Sequence, residues 1–386
     1  MDCALTPEQQ QLRQMVRDFA EGELAPAAEA LEREERFSTE LTQKMGELGL
    51  MGVMAPQQYG GLGLDTLSYL LIVEELARVH ASHAATVAAH NTLGVGPIAR
   101  FGSEAQKECY LPDLCSGRRL WGFGLTEPDA GSDAGNSRTT ASLRDGQWTI
   151  NGAKIFITNA ATTITAGSTV QCVTGTDASG RKEMSCLLVP QGTPGFTTRT
   201  MKRKMLWRAS NTAELFFDNV RVPEDHLLGT RGMGYKYMLQ TLDSGRLGIA
   251  AMGLGGAQGA YDAALAYAKS RKAFGQSVAS FQGNAFKLAD CAMQIEAARA
   301  LLYKACWLKD AGHPFGKEAA MAKLFCAQTM KLVADHAVQL HGGYGCMEEY
   351  PVARFYRDAK LLEIGEGTNE VQRLVIARQI GCFESA

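Results

Sequence analysis

The hydrophobic pattern changes period twice along the chain and so divides it into three blocks. In the first, Leu12, Met15, Val16, Phe19 and Ala20 recur at i, i+3, i+4, i+7 and i+8, the spacing of one buried helical face. Thr6-Pro7-Glu8-Gln9 supplies the helix start: a capping hydroxyl, a proline at the first helical position and a glutamine placed to bond back to the cap. Helical patterning continues through "TLSYLLIVEELARVH", "AATVAAHNTLGVGPIARF" and "SEAQKECYLPDLCSG", so residues 1–118 are expected to form a helical domain. From about residue 120 the period shortens. "KIFIT", "STVQCV", "MSCLLVP" and "AELFFDNVRVP" are short β-rich runs bounded by Gly, Pro, Asn and Asp, and Asp145-Gly146 predicts a hairpin turn, so residues 119–231 read as a β domain. Long helical stretches then return, with Val333, Ala337 and Leu340 on one stripe, and residues 232–386 read as a helix bundle. The order helical, β, helical predicts an α+β protein with the sheet as a separate middle block. No β-α-β alternation points to a doubly wound nucleotide fold.

Composition narrows the partners. A chain of 386 residues is long enough to build large cores and to bury a cofactor. Its 39 Lys and Arg against 41 Asp and Glu leave a net charge of -2, so no whole-protein basic field recruits nucleic acid or an anionic membrane. No run of about eighteen uninterrupted apolar residues predicts a membrane span. The opening "MDCALTPEQQQLRQMV" has neither a signal peptide's apolar core nor the character of a transit sequence. The ten cysteines contain no C-x-x-C pair, which argues against a metal site or a disulfide framework and for a reducing cytoplasm.

Two stretches concentrate candidate chemistry. "WGFGLTEPDAGSDAGNSRTTA", residues 121–141, can turn backbone N–H groups and the hydroxyls of Thr126 and Ser132 toward one ligand, such as the polar edge of a flavin or a phosphate. Loops of this composition are also ordinary turns. In "LLEIGEGTNEVQRLVIARQIG", residues 361–381, Glu366 stands between two glycines before Thr368, Asn369 and Glu370 open a helix. An acid so flanked is as readily a solvated turn residue.

"LTEPDAGSDAG" and "QLHGGYGCMEEYPVARFYRDAKLLEIGEGTNEVQ" resemble the two signatures of the acyl-CoA dehydrogenase family. The resemblance extends over nearly the whole chain, through "FGSEAQKECYLPDLCSG", "KIFITNA", "RASNTAELFFDNVRVPEDHLLG" and "LDSGRLGIAAMGLGGAQGAYDAALAYAKSRKAFGQ", and is strongest to short-chain, butyryl-CoA type bacterial members. It implies an FAD flavoprotein with a helical N-terminal domain, a middle β-barrel or sandwich domain and a four-helix C-terminal domain, assembled as a homotetramer. The implied reaction converts an acyl-CoA to the trans-2-enoyl-CoA and passes electrons to an electron-transfer flavoprotein. The resemblance makes Glu366 the base that removes the α-proton of the thioester. Its own backbone N–H and a ribityl hydroxyl of FAD would meet the carbonyl oxygen as enolate charge develops.

Further roles are implied by matching motifs. Phe123, Leu125, Thr126 and Ser132 would line the flavin, with Phe156 and Thr158 flanking its ring. Arg271, Phe274 and Gln282, with Gln339, Gly342 and Gly343, would hold the adenosine diphosphate part of a neighbouring chain's FAD, a task suited to the planar fork of arginine. Thr368 and Glu370 would close over the flavin, and Ser132, Asp243, Arg246 and Gly367 would contact the thioester substrate. Each has a plainer reading: Phe156 as a core aromatic, Arg271 as a helix-end cation, Asp243 and Arg246 as a structural ion pair.

Departures from the family pattern sharpen the picture. Some relatives carry the base where "LDSGR" has Gly245, so Glu366 has no rival there. Phe156 stands where many members have Trp. Ala84 stands where members acting on glutaryl-CoA have an arginine, which disfavours a dicarboxylic substrate. Gly365 replaces a common Tyr, which predicts a roomier cavity near Cα and an α-branched or unusual acyl chain. His83 and His90 lie close enough in sequence to reach the pocket, although a lone helical histidine is usually structural. Two other functions stay open: dehydrogenation of an acyl chain tethered to an acyl-carrier protein, and a non-catalytic FAD- or CoA-binding scaffold.

Overall fold

A computed structural model describes residues 4–383. Helices α1 (Pro7–Phe19), α2 (Ala25–Glu34), α3 (Thr39–Glu47), α4 (Thr66–Val79), α5 (Ala81–Ala89), α6 (Gly96–Phe101) and α7 (Glu104–Cys115) precede the sheet. The capping box at the start of α1 forms: Gln9 N–H donates to Thr6 Oγ1 at 3.2 Å and Thr6 N–H to Gln9 Oε1 at 3.1 Å. Val16 and Ala20 of the stripe are buried. The run ending in "NTLGVGPIARF" is helical but not uniform, because a π-helical turn at His90–Val95 separates α5 from α6. Pro97, which has no N–H to give, then sits harmlessly in the first turn of α6.

The middle block is one sheet. Its strands are β1 (Leu120–Gly124), β2 (Thr140–Arg144), β3 (Gln147–Thr158), β4 (Thr165–Thr176), β5 (Lys182–Pro190), β6 (Phe196–Thr200), β7 (Thr212–Pro223) and β8 (Leu227–Leu228). The order is β6-β7-β3-β2-β4-β5-β8, with β1 paired in parallel to β4. Asp145 (φ 50°) and Gly146 (φ 72°) form the β2–β3 turn, both left-handed as a two-residue hairpin requires. The sheet has its own core around Trp148, Ile150, Leu187 and Leu215. All five residues of β1 are buried where the sheet meets the helices.

The last block comprises α8 (Gly234–Ser270), α9 (Gln282–Asp310), α10 (Gly316–His341), α11 (Pro351–Leu362) and α12 (Asn369–Gln379), with a small hairpin, β9 (Lys272–Ala273) and β10 (Gln276–Ser277), after α8. α8 packs on α4 and on α10, so one hydrophobic core runs unbroken from the first helical block into the last. A buried polar knot joins all three blocks. Glu32 of α2 accepts from His80 Nε2 at 3.0 Å and from the backbone N–H of Arg208 and Ala209 at 3.1 and 3.2 Å. Next to it, Trp207 N–H donates to Asp358 Oδ1 of α11 at 3.0 Å.

Candidate active site

Glu366 lies in the turn between α11 and α12. The turn is closed at both ends: Gly365 N–H donates to Leu361 O at 2.7 Å, and Asn369 N–H to Glu363 O at 2.9 Å. Thr368 caps α12, accepting from Val371 N–H at 3.2 Å. To fit this closure Glu366 takes φ 51° and Gly367 φ 93°. Glycine is required at 367, since a side chain there would also meet Gln372 Nε2 at 2.6 Å. The left-handed turn aims the glutamate back at the bundle.

The carboxylate comes to rest against α8. Gly245 faces it with bare backbone: a Cβ at 245 would overlap Glu366 Oε2, would lie 2.9 Å from its Cδ and would be 3.3 Å from Leu93 Cδ2. The residue as a whole is partly exposed, but Oε2 is sealed from solvent and has no hydrogen-bond partner among the described residues. Burial raises its pKa to about 7, with Lys323 and then Arg246 pulling it back. One turn along α8, Gly248 gives the same room to the hydroxyl of Tyr69, which donates to Ala88 O at 3.3 Å. Burial, and next the charge of Glu366, holds that phenol well above its usual range. Arg246, itself buried, donates through Nη1 to Asp243 Oδ1 at 2.5 Å and keeps an unpartnered Nε. The ion pair expected as the plainer reading of these two residues is therefore formed, and it stands beside the carboxylate.

The loop after β1 is held as firmly. Glu127 is buried and accepts from Lys154 Nζ at 2.7 Å, from the N–H of Arg138 and Thr139 at 2.7 and 3.0 Å, and from the Ser137 hydroxyl. Burial works against its charge, yet Lys154 and these donors bring its pKa down to about 2. Thr126 O accepts from Ile155 N–H at 2.9 Å, tying the loop to β3 at an irregular step between Lys154 and Ile157. There Phe156 takes φ 61° and turns its ring outward, 61% exposed. Phe156 is thus no core aromatic. Thr126 and Thr158 are partly exposed near it and Ser132 is exposed, whereas the side chains of Phe123 and Leu125 pack in a core cluster with Trp121 and Leu188. Phe123 lies in β1 and Leu125 directly after it, and the side chains of both are buried.

A third group gathers at the opposite end of α10. Arg271, Gln339, Gly342 and Gly343 line one cavity of about 660 Å³, with Lys287 beside them. Neither cation pairs with a carboxylate among the described residues, and Arg271 lies over the Tyr344 ring at 5.9 Å. Phe274 and Gln282 do not line it: Phe274 projects from the β9–β10 turn, 96% exposed, and Gln282 is exposed at the start of α9. Glu370 is exposed in the first turn of α12. His90 bonds Leu114 O at 2.9 Å and His83 bonds His80 at 2.7 Å, and both rings are buried.

These three sites are set out along a chain whose relatives are known. Residues 6–118, 122–220 and 232–381 match the N-terminal, middle and C-terminal domains of acyl-CoA dehydrogenases, respectively. The chain belongs to the acyl-CoA dehydrogenase family. A probable acyl-CoA dehydrogenase of Bacillus subtilis is 51% identical over 380 residues, 98% of this chain and 100% of that one. The solved butyryl-CoA dehydrogenase of Megasphaera elsdenii is 43% identical and superposes with a TM-score of 0.94, over 98% of this chain and 100% of that one. A glutaryl-CoA dehydrogenase of Mycobacterium smegmatis, solved in complex with FADH2, is 31% identical with a TM-score of 0.93, over 99% and 96%. The protein is an enzyme of this family, with its arrangement of a sheet between two helical blocks.

Sequence reading did not single out Lys323, Tyr69 or Gln372 around this enzyme's glutamate. For Lys323 a signal existed: it is the one charge between Ala319 and Ala327 on a helical face that is otherwise buried and apolar.

Proposed function

We propose that the enzyme carries out the α,β-dehydrogenation of a short-chain acyl-CoA, giving the trans-2-enoyl-CoA, with Glu366 as the base. The observation that carries this reading is the sealed, unpartnered Oε2 of Glu366 against Gly245, with a pKa near 7. A carboxylic acid tuned to about neutrality is ionised often enough to accept a proton and basic enough to want it. The amide N–H of Glu366 donates to no protein acceptor among the described residues and is free to meet a thioester carbonyl oxygen, which acidifies the α-proton. Arg246 and Asp243 flank the same space as substrate contacts, with Gly367 and Ser132 as further contacts.

The residues fit FAD. The cavity at the far end of α10 offers two unpaired cations to a pyrophosphate, and the bulge at Phe156 offers an aromatic face and the Thr158 hydroxyl to a flat ring. FAD, when bound, supplies the acceptor for the hydride of Cβ. Thr368, Glu370 and the loop holding Thr126 and Ser132 would border it.

Lys323, two turns into α10, and His341, at its C-terminal end, are about 27 Å apart at 1.5 Å per residue. The cavity is thus remote from the chain's own Glu366, in keeping with adenylate binding across a subunit contact of a homotetramer. An apolar stripe supports such assembly: Phe286, Met293, Ala300 and Trp307 recur every seven residues on the exposed side of α9. We take an electron-transfer flavoprotein as the acceptor and the reducing cytoplasm as the location, in keeping with nine described cysteines that are all free.

Glu366→Gln is expected to bind FAD yet to lose anaerobic bleaching by butyryl-CoA, and the wild-type rate is expected to rise with pH through about 7. Bleaching at a near-normal rate by the variant removes Glu366 from the role of base. Bleaching by an acyl-carrier-protein thioester in preference to the acyl-CoA would favour the biosynthetic alternative. A Cβ at Gly365 meets nothing nearer than Leu361 O at 3.4 Å, so a side chain can begin there without a backbone clash. Gly365→Tyr should therefore fold and should depress α-branched substrates far more than straight ones; equal loss on both would dismiss the roomier cavity.

A further inference from the structure

We propose that Lys323 is a positioning residue for the base: its buried ammonium clamps the Glu366-Gly367 turn and adds a positive charge to the surroundings of the carboxylate. This rests on Glu366 being the base. Lys323 is completely buried on α10, where lysine is almost never found unless paired. Among the described residues it nevertheless forms no ion pair. Its Nζ instead donates to Gly367 O at 2.8 Å and to Asn369 Oδ1 at 3.5 Å. Both acceptors belong to the turn that carries the base. Gln372 Nε2 grips the same turn from α12, donating to Gly367 O at 2.9 Å and to Glu366 O at 3.3 Å. Two successive left-handed residues, one of them a glutamate, need such restraint.

The surrounding charges decide where the field of Lys323 falls. Glu366 is faced by Lys323 from α10, by Arg246 from α8 and by the Tyr69 hydroxyl from α4. Arg246 is already engaged by Asp243 at 2.5 Å. Around Lys323 stand Glu366, Arg246, Glu363 and Glu370. Glu363 is taken up by Lys360 at 2.8 Å and Lys331 at 3.7 Å, while Glu370 is exposed and lies 3.7 Å from Arg373. Glu366 is left as the acid on which the buried ammonium acts. Burial drives Lys323 down to about 8 and Glu366 up to about 7, each holding the other toward its charged form. The folded pKa of Glu366 is thus the balance of burial against Lys323 first and Arg246 next, and removing the larger of the two cationic influences shifts it upward.

The test is exchange of the α-protons of acetyl-CoA with D2O, followed by mass spectrometry across pH on the FAD-loaded enzyme. Acetyl-CoA has no β-carbon, so exchange reports the base alone. Lys323→Gln should move the midpoint upward by at least about one unit, an about fivefold slower exchange at pH 7 with the high-pH plateau retained. Lys323→Arg should keep the wild-type midpoint. If Glu366→Gln exchanges as fast as wild type, the assignment of the base fails and this role of Lys323 with it. If Glu366→Gln is silent while Lys323→Gln titrates like wild type, the role of Lys323 alone is overturned. Should the glutamine variant not fold, Lys323→Met, of equal reach, takes its place with the same outcomes, and an arginine variant shifted as far as a neutral one also overturns the proposal.

Discussion

At the scale of single residues, the most informative position is one with no side chain. Gly245 lies inside a long helix, where alanine ordinarily stabilises by up to about 1 kcal/mol. A Cβ there would occupy the place of Glu366 Oε2. Gly245→Ala should therefore yield a folded protein of undiminished melting temperature whose flavin is reduced about a hundredfold more slowly, the usual consequence of displacing a reacting group by an ångström. Stopped-flow reduction with butyryl-CoA checks it. Glu366 and Gly245 were both legible in the sequence, because a motif carries the one and a substitution pattern the other. Lys323, Tyr69 and Gln372 were not, because their meaning depends on helices distant in sequence meeting at one turn. Phe123 and Leu125 show the opposite failing: a motif does not tell how far a side chain is already committed to the core, as these two are.

Among the elements, the loop from Thr126 to Thr139 owes its shape to the buried pair of Glu127 and Lys154. Breaking one partner of such a pair leaves an uncompensated charge and costs about 3–5 kcal/mol. Lys154→Met should lower stability by that amount in urea unfolding and weaken FAD retention, while Lys154→Met with Glu127→Gln should recover much of the stability. No recovery in the double variant would show that the pair is not what shapes the loop. Local signals in the sequence located the capping box of α1 and the β2–β3 turn, since each is decided by neighbours within a few residues. The π-helical turn at His90–Val95 and the outward step at Phe156 escaped it. The second depends on Thr126 O, in the loop after β1, accepting from Ile155 N–H of β3, which no local pattern encodes.

For the whole molecule, the order of periods along the chain foretold the three blocks, but not how the helical ones share a core. That sharing places Glu366 and the Arg271 cavity at opposite ends of one bundle, and it leads to a prediction about assembly. If adenylate is held by a neighbouring subunit, Arg271→Ala and Glu366→Gln each cripple a different half of every site. Co-assembled, the two inactive proteins should regain activity, because hybrid pairs contain one site with both halves intact. Mixtures that stay inactive after verified subunit exchange would mean that each chain serves itself.

α8 runs 37 residues without a break, from the edge of the sheet to the hairpin bearing Phe274. At 1.5 Å per residue it is about 55 Å long, with Gly245 and Arg246 toward one end and Arg271 directly beyond the other. It therefore works as a ruler and a protractor together. Losing a single residue from its middle would shorten the span by only about 1.5 Å but would swing one end about 100° relative to the other. The chemistry of two neighbouring sites is thereby geared to the pitch of one helix, which can vary its side chains freely but not its length.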